Sequence, residues 1–363
     1  MKAKRNILIC PLEWGLGHAG RMIPLAQMLQ EAGNTIFIGT GAGHKQFLRS
    51  ELKDVQFIDF GGFRPAYSGF LPQYLALFFQ IPVLLYHILK EHIKLPRIIR
   101  ENKIDIVISD NRFGLWNRRI KTVYVTHQIR IPFPEKLRFL ESAGVKFHRF
   151  FIKKYDLCFI PDLPGEINLA GRLAHFVKLP ENARYVGILS RFSNGNEDAG
   201  ESTVSGHYTL ILSGPEPQRS MLREVITGQQ DNNKQPLVIL EGMPGIPDED
   251  KGSGKTITYN HLPSYKMKRI IQGSMGIIAR AGYTTIMELV SLNCSALLIP
   301  TPGQTEQEYL AGYLSEKGWF TAIRQKDLKD GFSLPVKNAS WPTDISEKSR
   351  ILLKRALLEL SDK

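Results

Sequence analysis

At 363 residues, 43% of them hydrophobic, the chain is long enough for two domains and lacks the composition of a long disordered protein. Its 47 Lys and Arg outweigh 35 Asp and Glu, and the resulting formal charge of +12 favours anionic partners such as phosphorylated metabolites, nucleic acid or an acidic membrane surface. Three cysteines, Cys10, Cys158 and Cys294, each sit inside an apolar run, which excludes a disulfide framework and metal-type cysteine pairs and fits a reducing compartment.

The chain begins with a short basic run and reaches Pro11 too soon for a signal peptide, so a cytoplasmic location is expected. Residues 6–10 form an apolar run that reads as a strand, 22–32 as a helix and 35–39 as a second strand. Gly33 stands where a left-handed residue closes a helix. Further strands are expected at 55–60, 104–109, 122–126 and 157–160. Such continuous apolar runs separated by helices predict a parallel sheet buried on both faces. "GTGAGH" at 39–44 has dinucleotide-type glycines, but glycine spacing alone is weak, and it is read as a turn.

"GFLPQYLALFFQIPVLLYHILKEHIKLPRIIREN", 69–102, starts apolar and ends basic. Prolines, glutamines and a histidine interrupt it, so a buried helix pair is expected rather than a membrane span, with an apolar face bordered by cations suited to a lipid interface. The polar stretch "SNGNEDAGESTVSGH", 193–207, has little to bury and marks a break. Beyond it the alternation resumes, with strands at 208–212, 237–241, 255–259, 276–279 and 296–299 and helices at 218–227, 264–272, 284–292 and 305–317. The expected fold is therefore α/β, two Rossmann-like doubly wound domains facing across a cleft. They span 1–190 and 191–363, with a final helix able to return to the first.

In doubly wound sheets the ligand crevice lies at the carboxyl ends of the strands. "PLEWGLGHAGR", 11–21, follows the first strand, so Gly15, Gly17, His18 and Arg21 belong to that crevice. His18 there could deprotonate an attacking hydroxyl, or merely cap the helix. Asp110, His127 and Gln128, at the ends of later strands, either face the crevice or form a buried polar cap. In the second half, "ILSGPEPQRSMLREVI" carries Ser213, Gln218 and Arg219 on another strand–turn–helix. "ARAGYTTIMEL" places Arg280, Ala281, Gly282 and Thr284 at a helix start, with Glu288 one and a half turns inside it. Helix N-termini can hold a diphosphate, and a carboxylate so placed can accept ribose hydroxyls. "DED" at 248–250 is read as a solvated loop. "GSGKT" at 252–256 lacks the first glycine of a P-loop and precedes a strand.

With those residues assembled, the chain resembles glycosyltransferases of the GT-B fold, most closely the family 28 enzymes typified by the peptidoglycan N-acetylglucosaminyltransferase MurG. "GLGHAGR" is similar to that family's first glycine-rich loop, which implies that His18 lies at the reaction centre. "GILSR", 187–191, is similar to its interdomain element, which implies a donor-phosphate role for Arg191. The resemblance further implies that Glu288 binds ribose and 281–284 line the phosphates. "PTPGQTEQEYL" resembles the loop in which paired glutamines hold the donor sugar, bringing in Gln304, Thr305, Glu306, Gln307 and Glu308. The chain departs from the family at Glu308, which replaces the second glutamine, and at "SGPEPQR", which replaces a glycine-rich loop.

The resemblance thus implies an inverting, metal-independent transfer of a sugar, an N-acetylhexosamine, from a UDP-sugar to an acceptor hydroxyl. No cofactor is implied beyond that donor. The basic charge and the 69–102 segment suit a lipid-linked or cell-envelope acceptor and a peripheral site on the inner face of the plasma membrane. A nucleic-acid partner is not expected, because no aromatic-basic recognition motif occurs. "GLGHAGR" also resembles the UDP-sugar hydrolase of the pseudaminic acid pathway, which gives the alternative of a hydrolase or epimerase in which His18 activates water.

Overall fold

A computed structural model describes residues 4–65, 79–193, 206–214, 216–228, 235–246, 255–330, 341–342 and 344–360. The stretch 194–205, the "DED" loop, residues 252–254 of "GSGKT" and residues 69–78 lie outside the described set.

Seven strands build the first sheet: β1 (Asn6–Cys10), β2 (Thr35–Thr40), β3 (Gln56–Asp59), β4 (Ile106–Asp110), β5 (Lys121–Val125), β6 (Leu157–Ile160) and β7 (Ala183–Tyr185). All pair in parallel, in the order β3-β2-β1-β4-β5-β6-β7. The second sheet contains β8 (His207–Ile211), β9 (Leu237–Leu240), β10 (Thr256–Tyr259), β11 (Ser274–Ala279), β12 (Leu297–Leu298) and β13 (Thr321–Ala322), again parallel, ordered β10-β9-β8-β11-β12-β13. Every residue of β4 and of β9 is buried, as expected of strands covered by helices on both faces. Each fully buried Ile, Leu or Val in them stabilises by roughly 1.5–3 kcal/mol. In both sheets the winding reverses direction once, between β1 and β4 and between β8 and β11. A crevice opens at such a reversal, outside the carboxyl ends of the strands.

The covering helices are α1 (Leu16–Glu31), α2 (Ala42–Glu51), α3 (Ile81–Asn102), α4 (Glu141–Ile152), α5 (Gln218–Gly228), α6 (Ser264–Gly273), α7 (Tyr283–Ser291), α8 (Thr305–Glu316) and α9 (Ile345–Glu359). Three of them, α1, α2 and α3, differ from what the sequence predicts. α1 starts six residues earlier than expected, so residues 16–21 are helical rather than loop. "GTGAGH" is a helix start, not merely a turn: Gly41 is the N-cap of α2 and its N–H donates to the Glu13 carboxylate. The glycines concealed a helix whose cap comes from 28 positions away.

The lobes share one core. Tyr124, Ile160 and Leu169 of the first cluster with Tyr283, Ile286 and Leu310 of the second. α9 follows the second lobe in sequence yet buries Leu353, Ala356 and Leu360 among Ile7, Ile106 and Val123. Ile188 N–H donates to Ser349 Oγ at 3.0 Å, and Lys121 Nζ donates to the Glu359 carbonyl at 2.7 Å. Gly187 makes this crossing possible: its φ is +75°, and a Cβ there would stand 2.3 Å from Ser349 Cα.

α3 corrects the expectation of a buried helix pair for its own residues. Only Glu91 and Leu95 are buried, whereas Tyr86, Leu89 and Ile93 are about 60–70% exposed (60%, 59% and 68%). Among the described residues no helix is long and apolar enough to cross a membrane.

Candidate functional site

The β1/β4 reversal supplies the first wall. α1 starts immediately after the β1 loop, and His18 and Arg21, three residues apart, share one helix face. That face meets Asp110, the last residue of β4. His18 Nδ1 lies 3.0 Å from Asp110 Oδ2 and Arg21 Nε donates to the same oxygen at 3.0 Å, while a second guanidinium nitrogen of Arg21 donates to Asp110 Oδ1. Arg21 also reaches His127 Nδ1, two residues past β5, at 3.0 Å. A guanidinium only donates, so His127 Nδ1 accepts and its Nε2–H donates to Glu306 Oε1 at 2.7 Å. His127 stacks on the Tyr283 ring with centroids 4.2 Å apart.

Solvent reaches this chain at both ends, at His18 and at the 24%-exposed Glu306 side chain, and not in its middle. The His18 side chain is 15% exposed, against 1% for Arg21 and 0% for Asp110. Burial works against the Asp110 charge, yet Arg21 and His18 overrule it and hold the carboxyl at about 2. His18 is pushed below its ordinary value, chiefly by burial and also by Arg21, with Asp110 opposing. At neutral pH the site therefore holds an ionised carboxylate beside a neutral imidazole. His18 Nδ1 has two partners that call for opposite tautomers, Asp110, to which it can donate, and an Arg21 nitrogen at 2.9 Å, from which it can accept. Donation to Asp110 is the tautomer that leaves Nε2, which makes no hydrogen bond among the described residues, without a proton. Such an imidazole can take a proton from a hydroxyl or from water.

The second wall comes from the N-termini of α7 and α8. Thr284 Oγ1 donates to the Gly17 carbonyl at 3.1 Å. A Cβ on Gly17 would stand 3.0 Å from that hydroxyl oxygen, so glycine lets the two helix starts meet. Glu306, in the first turn of α8, crosses to His127, and Thr305 Oγ1 donates to the Pro132 carbonyl at 2.9 Å. Gln304 occupies the N-cap of α8. Gln307 and Glu308 instead turn back on their own loop, accepting from the N–H groups of Thr301 and Gly303, both at 2.9 Å.

Arg191 Nε donates to Glu288 Oε1 at 2.8 Å, with its guanidinium 5.3 Å from the Phe47 ring centroid. The expected phosphate ligand and the expected ribose ligand thus hold one another. Burial pushes the Glu288 carboxyl up, with Arg191 opposing. Behind them, at the β8/β11 reversal, Arg280 is fully buried, and burial pulls its guanidinium down to about 10. Among the described residues it donates only to carbonyls, those of Gln218 at 2.6 Å, Ile299 at 3.3 Å and Pro300 at 3.4 Å. Its Nε and Gln218 Oε1 are buried without partners among the described residues. Ala281 is buried and Gly282 caps α7; Ser213 is half-buried just past β8. Arg219 lies aside, paired with Glu216 at 2.7 Å.

His18, Arg21, Asp110, His127, Thr284 and Glu306 are therefore brought together, with Gly17 between the walls. Gln128 is not part of the relay; its backbone bonds Thr126 instead. Two contributions escaped the sequence reading. Glu13, whose carboxylate takes the Gly41 N–H and pairs with Arg64, had its position in the β1 loop as a signal. Tyr283 falls within the 281–284 stretch expected to line phosphates, but its stacking on His127 across the cleft had no signal in the sequence.

Residues 225–337 match the model of the glycosyltransferase family 28 C-terminal domain. An uncharacterized glycosyltransferase of Methanosarcina acetivorans is 25% identical over 237 residues, which is 62% of this chain and 62% of that protein. The chain thus matches less than two thirds of that relative's length. One from Methanosarcina mazei is 23% identical over 373 residues, covering 94% of this chain and 92% of the relative. Among solved structures, the calicheamicin glycosyltransferase CalG4 superposes with TM-score 0.60 at 12% identity, covering 99% of this chain and 95% of its own. The spinosyn rhamnosyltransferase SpnG gives 0.60 at 14% identity, with 98% and 95% covered. The fold is GT-B. The GT-B expectation drawn from the four motifs is borne out, and the cleft described above is the GT-B interlobe cleft.

Proposed function

We propose that the protein is a glycosyltransferase moving a sugar, an N-acetylhexosamine, from a UDP-sugar to an acceptor hydroxyl. The observation that carries this reading is the His18–Asp110 pair of the first lobe standing where the α7 and α8 N-termini of the second lobe arrive. On this reading the Nδ1 proton of His18 serves Asp110, which leaves Nε2 basic. Nε2 removes the acceptor hydroxyl proton as that oxygen attacks the anomeric carbon. The bond from that carbon to the diphosphate breaks, and UDP leaves with the electron pair. Direct displacement inverts the anomeric centre and needs no metal, because protein cations and helix N-termini stabilise the leaving charge.

Support for the donor side is the buried Arg280, which faces no carboxylate among the described residues. A cation kept at a switch point without a counter-ion suits an anion in the adjoining crevice. The donor would exchange the Arg191–Glu288 contact for two new ones, phosphate on Arg191 and ribose on Glu288. Support for a lipid-linked acceptor is α3, which exposes Leu85, Tyr86, Leu89 and Ile93 alongside Lys90, Lys94 and Arg97. The match of "GLGHAGR" to a hydrolase loop makes water the competing acceptor.

Incubating the purified protein with UDP-sugars, with and without crude lipid extract, separates the two. UDP release that requires lipid is the expected result. Equal release in water alone would replace transfer by hydrolysis.

A further inference from the structure

A cavity of about 550 Å³ lies in the first lobe beside the start of α4. Four cations line it: Arg130, Arg138, Lys146 and Arg149. None is in an ion pair among the described residues. The one carboxylate in the lining, Glu141, is already held by Arg172 at 3.2 Å. Four like charges around one cavity repel each other, and the single lining carboxylate, shared with Arg172, offsets them only in part. Most of the cavity's lining surface is nevertheless apolar, with Val145, Val177 and the 72%-exposed Phe139 among its residues, so the cations supply a minor polar part of the wall.

Its position relates it to the reaction. Arg130 is three residues past His127, within about 11 Å along the chain. The segment between them is tied down by the N–H groups of Ile129 and Arg130, both donating to the Leu173 carbonyl, at 2.8 and 2.9 Å. The carbonyl of Pro132, two residues further on, meets Thr305 of the opposite lobe. The cavity therefore flanks the first-lobe wall on the side where α8 arrives.

We infer that this cavity binds the phosphate of an amphiphilic acceptor, with the guanidinium groups on the phosphate and Phe139, Val145 and Val177 against the adjoining apolar segment. The acceptor role rests on the transferase reading above; phosphate recognition by the cavity does not. Arginine suits the task because its planar fork matches phosphate oxygens in pairs.

The test is equilibrium binding of monomeric dihexanoyl phosphatidic acid, in the absence of any UDP-sugar, to the wild-type protein and to the double variant Arg138→Gln/Arg149→Gln. Arg138 is exposed and Arg149 half-buried, and unchanged thermal unfolding verifies the fold of the variant. Binding by the wild type, weakened at least tenfold in the variant and absent for dihexanoyl phosphatidylcholine, is the expected result. Equal affinity for both lipids, equal affinity of both proteins, or no binding overturns the site. Inorganic phosphate competing as strongly, mole for mole, would reduce it to a free-phosphate site and overturn the amphiphile. In the transfer assay the variant should raise KM for a phosphorylated lipid acceptor and keep kcat and UDP affinity. An unchanged KM alongside lost lipid binding overturns the acceptor role alone.

Discussion

Asp110 is the carboxylate that both His18 and Arg21 contact in the cleft. It is fully buried, it orients His18, and it compensates Arg21. Its carboxyl lies at about 2 against an ordinary 3.8, so ionisation contributes roughly 2 kcal/mol of stability. That contribution is complete above pH 4 and is lost as the pH falls through about 2, the sign expected of a depressed carboxylate. Asp110→Asn leaves the Arg21 charge uncompensated and should destabilise by about 3 kcal/mol or more in denaturant unfolding. It should also lower kcat by between about 10²- and 10⁴-fold through loss of the imidazole orientation. The acid limb of kcat/KM in the wild type should lie below the ordinary histidine value, because His18 is depressed. In Asp110→Asn it should move lower still, since the carboxylate was raising it. A limb that stays in place would detach Asp110 from the base. Each of these residues was legible alone, from its place at a strand end. Their contacts were not, because His18 and Asp110 are 92 positions apart and meet only once β4 lies beside β1.

At the scale of elements, legibility tracked burial. β1, β4 and β9 announced themselves as apolar runs because helices cover both their faces. β7 and β13 did not, being three and two residues long with no fully buried position. α2 was concealed by glycines that serve a cap reaching it from Glu13. Gly187 is the element-level joint for α9. Gly187→Ala should destabilise by at least about 2 kcal/mol in thermal or denaturant unfolding, since it combines a disfavoured φ with the overlap on Ser349. Wild-type stability in that variant would show that α9 is not held at this crossing. α3 gives a second test. Leu89→Ser/Ile93→Ser should weaken co-sedimentation with anionic vesicles at least tenfold, as two apolar side chains stop contributing. Equal sedimentation of both proteins would remove α3 from membrane contact.

For the whole molecule, the two sheets repeat one winding order and turn their reversal points toward each other. That much followed from alternating strands and helices and from four motifs. The closeness of the approach did not follow, because it depends on Gly17 against Thr284, Glu306 against His127 and a shared core, all contacts between distant parts of the chain. In the proposed reaction the lobes have separate tasks: the second grips the nucleotide, the first supplies the base. UDP titration calorimetry beside turnover, on wild type, Glu288→Ala and His18→Ala, tests that division most directly. Glu288→Ala should bind UDP about tenfold more weakly or worse, as a charged hydrogen-bond acceptor is lost. His18→Ala should bind UDP like the wild type and turn over no sugar. Undiminished UDP affinity in Glu288→Ala, or undiminished turnover in His18→Ala, would contradict it.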